Sequence, residues 1–388
     1  AASDVYKRQL PMKSKNVVAG GHKATAEAAQ ELLWLGGNAF DAAVGAVFTA
    51  MVAESGLTSA GGAGYLMAAP AGESPVVYDF FAEMPRGEMR DEFDFFAVEV
   101  DFGYATQEFH VGKASAGVPG NIAGLLQVQE ELGQLSLADV LAPSVRVANQ
   151  GLEITEHQAQ FLEILRPILT YSKAGRELYA PDGTLLKKGD TFRMPEFSDF
   201  LRQLGQEGRE LFYHGDAARI IVEWSQGQGG LLTSEDFEKY RVVKRKPLRT
   251  EFGGVDVYLN PPPAQSGILI DVTLSLLEKE HCRRNRSVPL ADLVAAFDVT
   301  NQIRRERLPV GAIDQVQAAP STESWFEEYL EKYRRNSPGG SSQEERSAGS
   351  TTHISVLDIE GNSASVTTTN GEGCGYILPG LGFMLNNM

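Results

Sequence analysis

Only two cysteines, Cys282 and Cys374, occur in the 388 residues. That is too few for a disulfide framework, and they lack the CxxC spacing of a metal or redox site. Histidine is scarce as well. The six are His22, His110, His157, His214, His281 and His353. No two form an HxH or HxxxH pair, so no metal site is expected. Basic residues are in deficit, 35 Lys and Arg against 51 Asp and Glu, for a net charge of −16. A surface of that sign repels nucleic acid and anionic membrane, and neither is expected as a partner. Long apolar runs are missing too. The longest candidate, AFDAAVGAVFTAMVAESG, is broken by Asp41 and Glu54. It falls short of the roughly 18–20 apolar residues of a membrane span. The first residues, AASDVYKRQLPMKSKN, have no apolar signal-peptide core. This favours a cytoplasmic over a periplasmic setting and makes Met12 a candidate native start.

What is present suits a globular enzyme. The chain is 43% hydrophobic and holds 40 glycines, enough to bury a large core. From Val17 onward, HKATAEAAQELLWLGGNAFDAAVGAVFTAMVAESG predicts two helices joined at Gly36–Gly37. Both are apolar on more than one side, so the pair is expected deep in the core. TSAGGAGYLMAAP reads as a glycine-rich turn entering a strand. No GKS/T follows and the glycines precede a strand, which argues against a phosphate loop. Gly61, Gly62 and Gly64 are therefore read as packing glycines. PVVYDFF predicts another strand, and residues 115–165 and 196–240 are mostly helical, with Thr155 capping a helix that begins TEH. KPLRTEFGGVDVYLNPPPAQSG predicts two strands and a proline-rich turn, followed by helices at ILIDVTLSLLEKE and LADLVAAFDVTNQIRRE. The order is mixed α and β with antiparallel hairpins, an α+β pattern.

Residues 336–350, NSPGGSSQEERSAGS, have the low hydrophobicity of a flexible linker. They run straight into TTHISVLD, IEGN and SASVTTT, a hairpin pattern. Threonine at a strand start ordinarily signals β-propensity alone. Its hydroxyl can also act as a nucleophile when an amine serves as its base. If Glu360–Gly361 form a two-residue turn, Thr351 stands opposite Asn370, with Thr368 on the same face. A three-residue loop instead brings Thr369 opposite Thr351, and both registers are carried.

Several stretches, GGHKATAEAAQELLWLGGNAFDAAVGA, TSAGGAGYLM, SAGVPGNIAGL, GLEITEH and GFMLNN, together with the 350–387 region, resemble γ-glutamyltranspeptidase-type proteins. The resemblance runs in order from about Val17 to the C-terminus. It implies an N-terminal-nucleophile hydrolase with a four-layer αββα sandwich. It also implies a precursor that cuts itself between Ser350 and Thr351, with Thr351 becoming the nucleophile. On this reading residues 1–16 are a leader outside the pattern, and 17–350 form the large-chain region with a linker at 335–350. Residues 351–388 then begin an incomplete small-chain region.

The family's Thr-x-Asn is supplied by Thr368–Asn370 or, in a gapless match, by Thr369 with Gly371 at the asparagine position. Glu372, Asn386 and Asn387 are the further substrate-binding candidates. The implied partners are a small amide or peptide substrate, an acceptor that is water or an amine, and the chain's own cleaved small chain. No cofactor is implied. The pattern departs in one place: the family's substrate arginine aligns with Ala82 in DFFAEMP, and Arg86, four residues on, reads as a surface charge. An acylase or amidase acting on a non-glutamyl amide, and a non-catalytic homologue or inactive fragment, are the alternatives carried.

Overall fold

A computed structural model describes residues 15–88, 92–103, 105–227, 229–281, 288–308, 324–335 and 351–388. Ser350 and the 336–350 linker lie outside the described residues, as do residues 1–14 of the leader. The chain forms two compact units, one of residues 1–74, 78–243 and 346–388, the other of 75–77 and 244–345. No helix among the described residues is long and apolar enough to cross a membrane.

The first unit is organised by a sheet containing β1 (Val17–Ala19) and β2 (Ala63–Ala69), and the strand expected in PVVYDFF forms as β3 (Val76–Phe80). Between β1 and β2 lies the C-terminal hairpin, Thr352–Leu357 and Ser363–Thr369, so the first and last parts of the chain interleave. The expected helices are α1 (Lys23–Trp34) and α2 (Ala39–Ala53). All fifteen residues of α2 are buried, as a helix apolar all round requires. Its start is fixed by a capping box between Asn38 and Asp41. The Asp358 carboxylate from the hairpin turn accepts the Ala39 N–H at 3.0 Å. A negative charge at a helix N-terminus is favourable, so the turn and the helix stabilise each other.

The expectation for α1 needs correcting. It buries one face only, through Thr25, Ala28, Ala29, Leu32 and Leu33, and Trp34 is 75% exposed. Glu27, Gln30 and Glu31 supply a polar side that α2 lacks.

The hairpin pairs Thr352 with Thr368 and Leu357 with Ser363. Asp358 N–H donates to the Asn362 carbonyl at 3.0 Å, leaving Ile359–Gly361 as a three-residue loop. The Asp358 carboxylate gathers the N–H groups of Glu360 and Asn362, each at 2.9 Å, and Gly361 takes a φ of 94°. The two-residue turn at Glu360–Gly361 is therefore not formed, and Asn370 does not face Thr351. One step beyond the Thr352–Thr368 pair, the register sets Thr351 opposite Thr369. Side chains alternate as a strand requires. Thr352, Ile354 and Val356 are buried, whereas Thr351, His353 and Leu357 are exposed.

The second unit holds the expected hairpin, Leu248–Phe252 with Val255–Leu259, turned at Gly253–Gly254, both at positive φ. Helices Gln265–Glu280, Leu290–Arg307 and Phe326–Arg335 follow. They share a core that includes Val272, Leu276, Val299, Ile303, Phe326 and Leu330.

Candidate functional site

Thr351 is exposed and stands one residue ahead of the strand that Thr352 begins. Together with Thr352 and His353 it borders a cavity of about 770 Å³. The apolar wall is built by Val52, Leu57, Ile154, Phe161, Leu162 and Phe192, and the polar groups are His22, Glu54, Thr155, His157 and Gln158. A mainly apolar cleft with a few polar groups is the usual form of a small-molecule site. Thr155 caps the helix Glu156–Ile164 through a capping box with Gln158, as expected from TEH, and that helix forms one side of the cavity. His22 caps α1, its Nδ1 accepting the Ala24 N–H at 3.0 Å, and burial lowers its pKa. Burial raises the pKa of Glu54, which ends α2 at the cavity.

His353 shares the exposed face with Thr351, but its ring is engaged elsewhere. Nδ1 lies 2.7 Å from Thr367 Oγ1, and Nε2 lies 3.0 Å from Ser355 Oγ and 3.3 Å from Ser365 Oγ. Burial lowers its pKa. With Nδ1 at the Thr367 hydroxyl of the facing strand and Nε2 between Ser355 and Ser365, the imidazole ties the two strands of the hairpin together.

The other predicted residues form a seam off the cavity lining. Thr58 Oγ1 donates to Thr368 Oγ1 at 3.0 Å, and Thr369 Oγ1 accepts the Gly371 N–H at 3.0 Å. Asn370 Oδ1 accepts the Ser59 hydroxyl at 2.7 Å, and the Asn370 N–H donates to Leu57 O at 3.0 Å. Asn386 Nδ2 donates to Gly61 O at 2.7 Å and Gly117 O at 3.1 Å, while its Oδ1 accepts the Gly117 N–H at 2.9 Å. Asn387 Oδ1 accepts the N–H groups of Glu372 at 2.8 Å and Gly373 at 3.1 Å. Glu372 is itself buried. These residues tie together the segments around Leu57–Gly61, Gly117 and Glu372–Gly373. The glycine turn 58–64 is part of the same seam, with Gly62 O accepting the N–H groups of Gly120 and Asn121.

Arg86 is committed to its own surroundings. Its backbone N–H donates to Asp236 Oδ1 at 2.9 Å, and its guanidinium lies 3.6 Å from that buried carboxylate and 3.8 Å from Glu83. Ala82 offers no charge. Glu54, Thr25, His22 and the helix 156–164 were not anticipated as site elements. The available signal was Glu54 itself, an acid at the end of a helix that is otherwise almost entirely apolar.

Cys374 is buried, and burial pushes its thiol up to about 12. At pH 8 only roughly one molecule in ten thousand carries the thiolate that alkylates. Iodoacetamide followed by peptide mapping should therefore leave Cys374 unmodified in the folded chain and modify it in urea. Labelling at equal rates in both would show the burial to be wrong.

The family model for gamma-glutamyltranspeptidase matches residues 25–388. The chain is 26% identical over 424 residues to a glutathione hydrolase proenzyme of Bacillus subtilis (strain 168), covering 99% of this chain and 69% of that protein. It is 27% identical over 393 residues to the Acylase ACY 1 proenzyme of Pseudomonas sp. (strain V22), covering 96% of this chain and 69% of that one. Among solved structures, cephalosporin acylase from Bacillus halodurans superimposes with a TM-score of 0.80 at 22% identity, over 96% of this chain and 69% of that one. The fold is thus the α+β sandwich of the N-terminal-nucleophile hydrolases. Among the described residues, the large sheet of the first unit carries α2 on its buried face.

Proposed function

Because the chain belongs to the gamma-glutamyltranspeptidase family, we propose that it is a self-processing N-terminal threonine hydrolase. It cuts itself before Thr351, then hydrolyses or transfers an acyl group from an amide, such as the γ-glutamyl group of glutathione. The observation that carries this is the position of Thr351, exposed at the strand's threshold and bordering the 770 Å³ cavity. The word proenzyme in the names of both relatives supports a maturation step.

In maturation, Thr351 Oγ attacks the Ser350 carbonyl carbon and the bond to the Thr351 nitrogen breaks. The hydroxyl proton passes to that nitrogen, leaving an ester that water hydrolyses. The freed α-amine, of ordinary pKa about 7.7–8.0, is partly neutral near pH 7 and can take the hydroxyl proton. Thr351 Oγ then attacks the substrate carbonyl, the proton goes to the departing amine, and water or an acceptor amine releases the acyl group. Turnover should rise with pH across the amine's range, because only its neutral form accepts a proton. Thr369, opposite in register, is the hydroxyl best placed to support Thr351. Intact-mass measurement of the full chain tests the reading: two fragments divided at Ser350–Thr351 support it, and a single uncut mass sinks it.

A second reading, an acylase for non-glutamyl amides, is favoured by Ala82 at the arginine position and by Arg86 being tied to Asp236 and Glu83. Alanine cannot make the bidentate carboxylate contact of a guanidinium. The kcat/KM for a γ-glutamyl anilide should therefore change by less than about threefold when its α-carboxylate is converted to a carboxamide. A loss of about tenfold or more, the ordinary cost of a charge-assisted contact, would instead reveal a cation reading that carboxylate.

A further inference from the structure

We propose that Glu54 is the positioning residue of the Thr351 junction, holding it through the hydroxyl of Thr352. This rests on the reading that the chain is cut before Thr351. The Thr352 hydroxyl lies 3.2 and 3.1 Å from the two carboxylate oxygens of Glu54, and Thr25 Oγ1 of α1 donates to the same carboxylate at 3.5 Å. Thr352 is buried, on the side of the strand opposite to Thr351.

The leading end of this strand needs such a tether. Its pairing with the second hairpin strand begins at Thr352. On the other flank β1 ends at Ala19, opposite Ser355, so the ladder with β1 stops short of Thr352. Thr352 is thus held by one neighbouring strand and by Glu54. A hydrogen bond that fixes a β-branched side chain also fixes its χ1 rotamer. With the ladder bond, it orients the peptide unit between residues 351 and 352. That unit carries on into the Thr351 nitrogen, the leaving atom in maturation and the base afterwards.

Glu54 is itself held firmly. Its carbonyl accepts the N–H groups of Leu57 at 2.7 Å and Thr58 at 3.2 Å. The residue that grips Thr352 therefore also starts the turn that packs on Thr368 and Asn370. Space for the carboxylate comes from Gly21, where a Cβ would sit 2.0 Å from Glu54 Oε1 and 3.4 Å from Thr352 Oγ1. Gly21 is not among the positive-φ glycines. An alanine there meets the carboxylate rather than backbone strain.

The test follows the cut before Thr351 in the full chain by intact mass, alongside thermal unfolding. Thr352→Val keeps the shape and removes the hydroxyl. It should slow the cut about 10- to 100-fold, the usual scale for leaving a buried acceptor without its donor. Thr352→Ser restores the hydroxyl and should recover most of the rate. Gly21→Ala, which alters neither partner, should slow the cut in the same direction. Combining Glu54→Gln with Thr352→Val should be no slower than Thr352→Val alone, as expected for two residues sharing one interaction. A purely structural role would lower the unfolding midpoint while folded Val and Ser variants cut equally fast, and that result overturns the inference. An uncut wild-type chain instead overturns the nucleophile reading, and this inference with it.

Discussion

Thr351→Ala should leave the chain at a single, uncut mass under conditions in which the wild type divides at Ser350–Thr351. Alanine removes the only atom in the proposed mechanism that can attack the Ser350 carbonyl. The neighbouring hydroxyl cannot take over. Thr352 points to the buried face and donates to Glu54, so it lies on the wrong side of the strand. Nor can His353 compensate, since it carries no hydroxyl and both its nitrogens are engaged by Thr367, Ser355 and Ser365. Loss of a covalent nucleophile costs on the order of a thousandfold or more in rate, so no fragment should appear over hours. Thr351→Ser retains an attacking oxygen and should still be cut, more slowly. A Thr351→Ala chain that divides at the same bond would remove Thr351 from the chemistry altogether.

How much of this was legible in the sequence depends on the range of the interactions involved. The α2 helix was readable because its fifteen residues are apolar all round and its ends carry local signals, Asn38 with Asp41 at the start. The burial of α1 is less legible, because a run rich in alanine and leucine hides how many positions, Glu27, Gln30 and Glu31 among them, are polar. The hairpin was legible as a hairpin, but its register was not. Period-two alternation cannot choose between Thr368 and Thr369 when both are threonine. The choice is made by the Asp358 carboxylate, which closes a three-residue loop and at the same time caps α2. The cavity was invisible for a different reason. Its walls come from residues 19–23, 52–57, 154–192 and 351–353, brought together only by the fold. Glu54 stood in plain view as an interruption of an apolar run, and only the neighbourhood of Thr352 gives that interruption a purpose.

Gly62→Ala should be among the most damaging single-methyl additions, destabilising the chain by about 3 kcal/mol. A Cβ there would lie 2.4 Å from the Thr369 carbonyl oxygen, 2.9 Å from Asn121 Nδ2 and 3.2 Å from the Ser59 carbonyl oxygen. None of these neighbours is free to retreat. Thr369 pairs with Ala63 in the sheet. Asn121 begins the helix Asn121–Leu132 and donates to the Ser59 carbonyl at 2.8 Å. Ser59 is held by Asn370 and the Met384 carbonyl at 2.7 and 2.6 Å. The added methyl must therefore push Thr369 along the hairpin, and Thr369 is the residue that faces Thr351. Stability and the cut should fail together, which distinguishes this site from Thr351→Ala, where the fold should survive. Gly56→Ala is the control: its nearest atoms are Leu165 Cδ1 at 3.6 Å and Leu169 Cδ1 at 3.9 Å, ordinary contact distances, and Gly56 is not among the positive-φ glycines. It should change stability by less than about 1 kcal/mol, with a gain expected from the reduced entropy of the unfolded chain. Urea unfolding of the two variants decides the matter. Equal midpoints would mean that the close approach of the glycine turn to Thr369 is not what holds the hairpin in place.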